Sequence, residues 1–135
     1  MTDEVLNQLN AYTRKAGLTA ADFYVNEKIP FGFNYVDADT DITHDNDTQG
    51  YHGSHVTGIA AGNRFVKDEA GNYVAALDSV MTQGVAPDAQ ILTMKVFGKG
   101  GGAYDSDYMV AIEDAVMLGC DAVNLSLGSG NAGFT

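Results

Sequence analysis

Residues 91–128 constrain the fold more than any other part of the chain. "ILTMKVF", 91–97, is a short apolar run that ends at glycine. "DSDYMVAIEDAVMLG", 105–119, has helical spacing at Met109, Ile112, Val116 and Leu118, with Asp105 or Ser106 to cap its start and Gly119 to stop it. "DAVNLSLG", 121–128, is a second apolar run. Strand, helix and strand in this order predict a βαβ unit with parallel strands and a right-handed crossover. The fold class is therefore α/β, a parallel sheet flanked by helices. In open parallel sheets, sites lie beyond the carboxyl ends of the strands. The loops "GKGGGAY", 98–104, and "GSGN", 128–131, both follow strands of this unit and are rich in glycine. Glycine lets another backbone approach closely, so this edge is the predicted binding surface.

The remaining segments are compatible with that architecture. Residues 3–16 read as a helix with Val5, Leu6, Leu9, Tyr12 and Ala16 on one face, Thr2 as cap and Gly17 as stop. "LTAADFYV" reads as a short turn capped by Thr19. "IPFGFNYV", 29–36, alternates Phe31, Phe33 and Tyr35 and predicts a strand. "DADTDITHDNDTQG", 37–50, is acidic and irregular. Asp37, Asp39 and Asp41 match the first three ligand positions of an EF-hand loop, but Ile42 stands where glycine must turn and Thr48 where the bidentate Glu belongs. A solvated acidic loop is the expectation there. "GSHVTGIAA", 53–61, suits a helix packed tightly in a core. Residues 63–83 form an excursion with a turn at Gly71-Asn72, and 84–90 are a turn.

Composition narrows the function classes. At 135 residues the chain fits one domain, and 45% hydrophobic residues are enough for a real core. Eighteen acids against seven bases give a net charge of −11. Phosphate backbones and anionic membrane surfaces both demand a basic face, so neither nucleic acid nor membrane is an expected partner. No apolar run reaches the ~18 residues of a membrane helix. "MTDEVLNQLN" is polar and acidic, unlike a signal peptide. Cys120 is the sole cysteine, so no internal disulfide forms, and its apolar setting reads as a buried small residue.

Two ligand classes suit the glycine loops. Gly98-x-Gly100-x-x-Ala103 fits the relaxed dinucleotide fingerprint, but the next strand ends in "SLGSGN" without the acid that holds the ribose. An extended peptide is the other class, since it binds by adding a strand through main-chain hydrogen bonds. "GGG" at 100–102 and "SLG" at 126–128 would flank it. "GYHGSHVTGIAAGN", 50–63, carries His52 and His55, which share a helix face. The pair suits a zinc site completed by His44 with Asp45 or Asp47, two hydrogen-bonded core histidines, or a catalytic base with a neighbour. No spacing supplies a convincing third ligand, and no metal is assigned.

Three segments in order resemble one family, the subtilases, or subtilisin-like serine proteases of the S8 family. "HGSHVTGIAAG" is similar to its histidine motif H-G-T-H-V-A-G, with Ser54 for Thr and Thr57 for Ala. "GVAPDAQILTMKVF" resembles the G-V-A-P-x-A turn and the strand after it, and "DAVNLSLG" resembles V-I-N-M-S-L-G. "NEKIPFGFNYVDADTD" and the long 63–83 insertion resemble the large cell-envelope members, of the lactocepin and C5a peptidase type. The resemblance implies a partial subtilisin-like three-layer fold, with residues 1–135 part of one catalytic domain.

It also implies a serine endopeptidase acting on protein or peptide substrates. His52 matches the general base and His55 the structural histidine. Gly100, Gly101 and Gly102 match the edge that pairs with distant substrate residues. Ser126, Leu127 and Gly128 match the opposite edge, beside the pocket for the residue before the cut. The family's Asp-Ser/Thr-Gly motif and its G-T-S-M-A serine motif are both absent from these residues. The chain is thus expected to be an internal piece of the domain, inactive alone, and secreted or attached to the cell envelope in its parent. No cofactor is expected, save a structural calcium in a full-length protein. A homodimer through exposed sheet edges is expected. A non-catalytic peptide-binding segment and a nucleotide-binding module are the alternatives.

Overall fold

The computed structural model describes residues 1–48 and 50–128. Its order is α1 (Asp3–Leu6), α2 (Asn10–Arg14), β1 (Phe31–Asn34), α3 (His52–Ala61), β2 (Phe65–Lys67), β3 (Tyr73–Ala75), β4 (Leu92–Lys95) and α4 (Asp105–Met117). β1 and β4 pair in parallel, with Phe31 opposite Leu92 and Asn34 opposite Lys95. β2 and β3 form a separate antiparallel hairpin over the 63–83 excursion. Its turn closes where Gly71 donates to the Asp68 carbonyl at 2.9 Å. The α/β class and a parallel sheet, both expected from sequence, are present, but the paired strands are β1 and β4.

The core gathers on β1. Phe31, Phe33 and Tyr35 point to one side, and Phe23 stacks on Phe31 at 5.5 Å between ring centroids. Phe33 meets Tyr35 edge-on at 5.1 Å, a favoured aromatic geometry. Leu6, Leu9, Ala11 and Ala111 close the cluster from α1, α2 and α4. Gly32 is covered on the opposite face, where a Cβ would lie 2.9 Å from the Ile42 side chain. All four β1 residues are consequently buried.

Four expectations need correction. The helix expected over 3–16 is two helices, because Asp114 of α4 reaches into the junction. Its carboxylate accepts from the Asn10 amide at 2.7 Å and the Ala11 amide at 2.9 Å. Those amides would bond to the preceding turn in a continuous helix; here a carboxylate from another element caps a new one. Thr2 does cap α1, accepting from the Val5 amide. The second correction is the face of α4. The buried residues are Asp107, Ala111, Asp114 and Ala115, whereas Met109 and Val116 are exposed at 60% and 71%. Small alanines let α2 approach, and the two aspartates bond into it. Tyr104 occupies the cap position of α4, with no side-chain cap from Asp105 or Ser106.

The third correction concerns residues 121–128. They form no strand among the described residues, so the βαβ unit is met only as far as strand and helix. β4 takes β1 as its ladder partner instead. The 128–131 loop lies largely outside the described residues. The fourth is α3, expected in a core: only Ala61 is buried, and Ile59 is 57% exposed. The small residues of this helix receive the 84–86 turn. Gly84, Val85 and Ala86 donate to the carbonyls of Gly62, Ile59 and Ala60 at 2.8–3.0 Å. A Cβ on Gly84 would lie 2.4 Å from the Gly62 nitrogen, so only glycine fits.

Candidate functional site

The site is assembled from three pieces. The first is α3, whose opening residue is His52, preceded by Tyr51 at the cap position. The His52 imidazole is exposed and forms no hydrogen bond among the described residues, and His55 is exposed one turn on. The core reading of the pair therefore finds no burial. Among the described residues, no three His, Cys, Asp or Glu side chains group as a metal-binding set.

The second piece is the loop after β4. The Gly98 amide donates to the Gly102 carbonyl at 2.9 Å and the Gly101 amide to the Gly98 carbonyl at 2.8 Å. Gly101 is in the left-handed region at φ 79°. A Cβ on Gly98 would lie 2.7 Å from Val36 and 3.2 Å from the Asp37 carboxylate. The loop after β4 thus packs directly on the loop after β1, as parallel pairing of the two strands requires. Asp37 also accepts from the Lys99 amide at 2.9 Å. A carboxylate occupies the donor that a pyrophosphate would need, which disfavours the dinucleotide reading.

The third piece is the segment ending at Gly128. Asn124 and Ser126 line an open groove of about 250 Å³ with Val56, Ile59, Ala60 and Val85. The structure therefore brings Ser126 to the flank of the helix that begins at His52. Leu127 is half-buried and Gly128 exposed.

The acidic segment 37–48 is not simply solvated, because two lysines organise it. Lys95 Nζ donates to Asp47 at 2.7 Å and to the Thr43 carbonyl at 2.8 Å, and both charged side chains are nearly buried. Lys99 Nζ lies 2.9 Å from Asp39 and 3.8 Å from Asp41. Hydrogen bonds from the Thr43 hydroxyl and amide hold the Asp41 carboxyl down at about 2. The amide of Lys99 and the side chain of Asn34 lower Asp37 in the same way. The segment also reaches α3, where His44 Nδ1 lies 3.2 Å from Ser54 Oγ. Sequence reading missed Lys95 and Lys99. The available signal was that a parallel β1–β4 pair would carry residues 37 and 98 to one sheet edge.

The Subtilase family profile matches residues 15–134. The chain belongs to the subtilase family. It is 40% identical over 115 residues to the PI-type proteinase of Lactococcus lactis subsp. cremoris, covering 83% of this chain and 6% of that protein. The Minor extracellular protease Vpr of Bacillus subtilis (strain 168) is 36% identical over 103 residues, covering 73% of this chain and 11% of Vpr. The C5a peptidase of Streptococcus pyogenes serotype M6 is 32% identical over 118 residues, covering 86% of this chain and 9% of the peptidase. The subtilase chain thus spans about a tenth or less of the length of these relatives. No solved structure matches it significantly. The helices and the parallel strand pair are consistent with part of a subtilisin-like fold. No described helix is long and apolar enough to cross a membrane.

Proposed function

We propose that residues 1–135 are part of a single serine endopeptidase domain that hydrolyses protein substrates. His52 is the general base, which takes the proton of a serine nucleophile and returns it to the leaving amine. Gly100, Gly101 and Gly102 form one substrate edge, and Ser126, Leu127 and Gly128 the other. His55 is structural. The observation that carries the reading is the position of His52: the histidine of the family motif opens a helix, exposed, on the element whose flank meets Ser126. No cofactor enters this chemistry, and calcium would have only a structural role in a longer protein. The parent is secreted or attached to the cell envelope, a reading supported by the extracellular name of the Vpr relative. Exposed Leu77, Met81 and Val85 support a homodimer, which equilibrium sedimentation would show.

The isolated 135-residue polypeptide is read as inactive, since a triad acts as a unit and no Asp-Ser/Thr-Gly or G-T-S-M-A motif is among these residues. A fluorophosphonate probe should label no serine in it; stoichiometric labelling would overturn that reading. In the complete reading frame, His52→Ala should lower kcat by about 10⁶, the loss seen when subtilisin loses its histidine. Retention of activity within tenfold would remove His52 from the role. A non-catalytic, peptide-binding role would instead leave the complete protein inactive with His52 intact.

A further inference from the structure

The acidic segment that the catalytic reading leaves unused is the best-connected neighbour of the glycine edge. Lys99 sits immediately before Gly100 and is fixed at three points. Its amide donates to Asp37 at 2.9 Å. Its carbonyl accepts from the Thr48 amide at 3.0 Å and the Thr48 hydroxyl at 3.1 Å. Its ammonium donates to Asp39 at 2.9 Å, with Asp41 at 3.8 Å. Backbone and side chain of one residue are thus held by one segment, and a Cβ on Gly98 would meet Val36 and Asp37 at the start of that segment. The three residues that follow are glycines, which lose more conformational freedom on ordering than any other residue. An edge of three glycines is preset for a ligand only if something adjacent holds it.

We propose that Lys99 is a positioning residue for the peptide edge: clamped by Asp37, Asp39 and Thr48, it holds the hydrogen-bonded Gly98–Gly102 turn and so fixes how Gly100–Gly102 meet a substrate strand. This rests on the assignment of Gly100–Gly102 as a substrate edge. The acidic segment is then a working part of the protease domain, and it reaches the histidine helix at its other end through His44 and Ser54. The clamp is electrostatic in part, so the edge should respond to salt even when the ligand carries no charge.

The test uses the 135-residue chain and the neutral blocked peptide N-acetyl-Ala-Ala-Val-Ala-amide, followed by amide NMR. In the wild type the peptide should perturb the Gly100–Gly102 amides, and raising NaCl from about 20 mM to about 500 mM should weaken its binding. Lys99→Met should weaken binding about fivefold, the upper range for an exposed ion pair, abolish the salt response, and speed exchange of the Gly98 and Gly101 amides about tenfold. Lys99→Arg should restore all three. Asp39→Asn removes only the side-chain pair and should reproduce the loss of salt response, which covers the case in which Lys99→Met misfolds. Unchanged binding, salt response and exchange in Lys99→Met and Asp39→Asn would overturn the clamp while leaving the substrate edge intact. A wild type whose Gly100–Gly102 amides ignore the peptide would overturn the edge assignment, and the clamp's proposed role with it.

Discussion

The helix bearing His52 and the strand bearing Phe33 are built to opposite rules within one subtilase chain. β1 is buried along its whole length, wrapped by aromatic rings, α1, α2 and α4. α3 buries one residue of ten and is held at its end by main-chain bonds from a turn. The hairpin beyond it is exposed on both strands. Stability is concentrated where no catalytic role is proposed, and the proposed base stands on a helix with a single buried residue. Sites tend to occupy mobile or weakly packed elements set on a rigid scaffold, and this chain separates the two clearly enough to test.

The largest effect should come from the strand. Phe33 is fully buried between Phe23 and Tyr35. Phe33→Ala removes that area and leaves a cavity, so urea unfolding should show a loss of about 4 kcal/mol. A loss under about 1 kcal/mol would mean that the rings are not the core they form here.

Next is the aspartate that splits the first helix. Asp114 is fully buried and accepts from the amides of Asn10 and Ala11, the Asn10 side chain and the Tyr35 hydroxyl. Asp114→Ala strands several donors at once, and about 3 kcal/mol should be lost. The helical signal at 222 nm should fall as α2 loses its cap. A variant as stable as wild type would show that water satisfies those groups.

Tyr35 allows the same network to be read by pH. Burial, and then the neighbouring Asp114 carboxylate, push its phenol far above the ordinary value near 10. The folded state therefore keeps the proton that the unfolded chain releases. Above pH ~10 the unfolded state binds fewer protons, so stability falls as pH rises, by about 1.4 kcal/mol per unit. The contribution is fully present below that pH. Tyr35→Phe should cost about 1.5 kcal/mol at pH 7 for the lost bond to a carboxylate. The alkaline loss attributable to this residue should also vanish. Parallel stability curves for the two proteins from pH 9 to 11 would contradict the assignment.

Sequence reading served the two regions unequally. β1, β4, α3 and α4 are legible because apolar runs, glycine stops and helical spacing are local signals. The buried face of α4 was misjudged because Asp107 and Asp114 look like solvent-facing acids until their partners are known. Asp107 pairs with Arg14 at 2.7 Å, 93 positions away in the chain, and Asp114 bonds across a similar distance. Hydrophobic pattern cannot reveal a carboxylate whose burial is compensated by remote donors. The acidic segment was misread for the same reason: Lys95 and Lys99 meet it only once β1 and β4 pair. The helix that His52 opens was legible because its spacing is a local signal, and the role proposed for His52 rests on the motif.

The smallest effect should fall on that residue, and it sharpens the contrast most. His52 is exposed and forms no hydrogen bond among the described residues. His52→Ala sits at the first position of α3, so no interior helical bond is lost. Alanine is also the better helix former. Urea unfolding of the 135-residue chain should change by less than about 0.5 kcal/mol in either direction. Together with a loss of about 10⁶ in the complete enzyme, that would place the proposed base outside the stability of its own scaffold. A destabilisation above about 1.5 kcal/mol would mean that the imidazole is bonded in the folded chain. It would then be structural, and the roles assigned to His52 and His55 would have to be exchanged or abandoned.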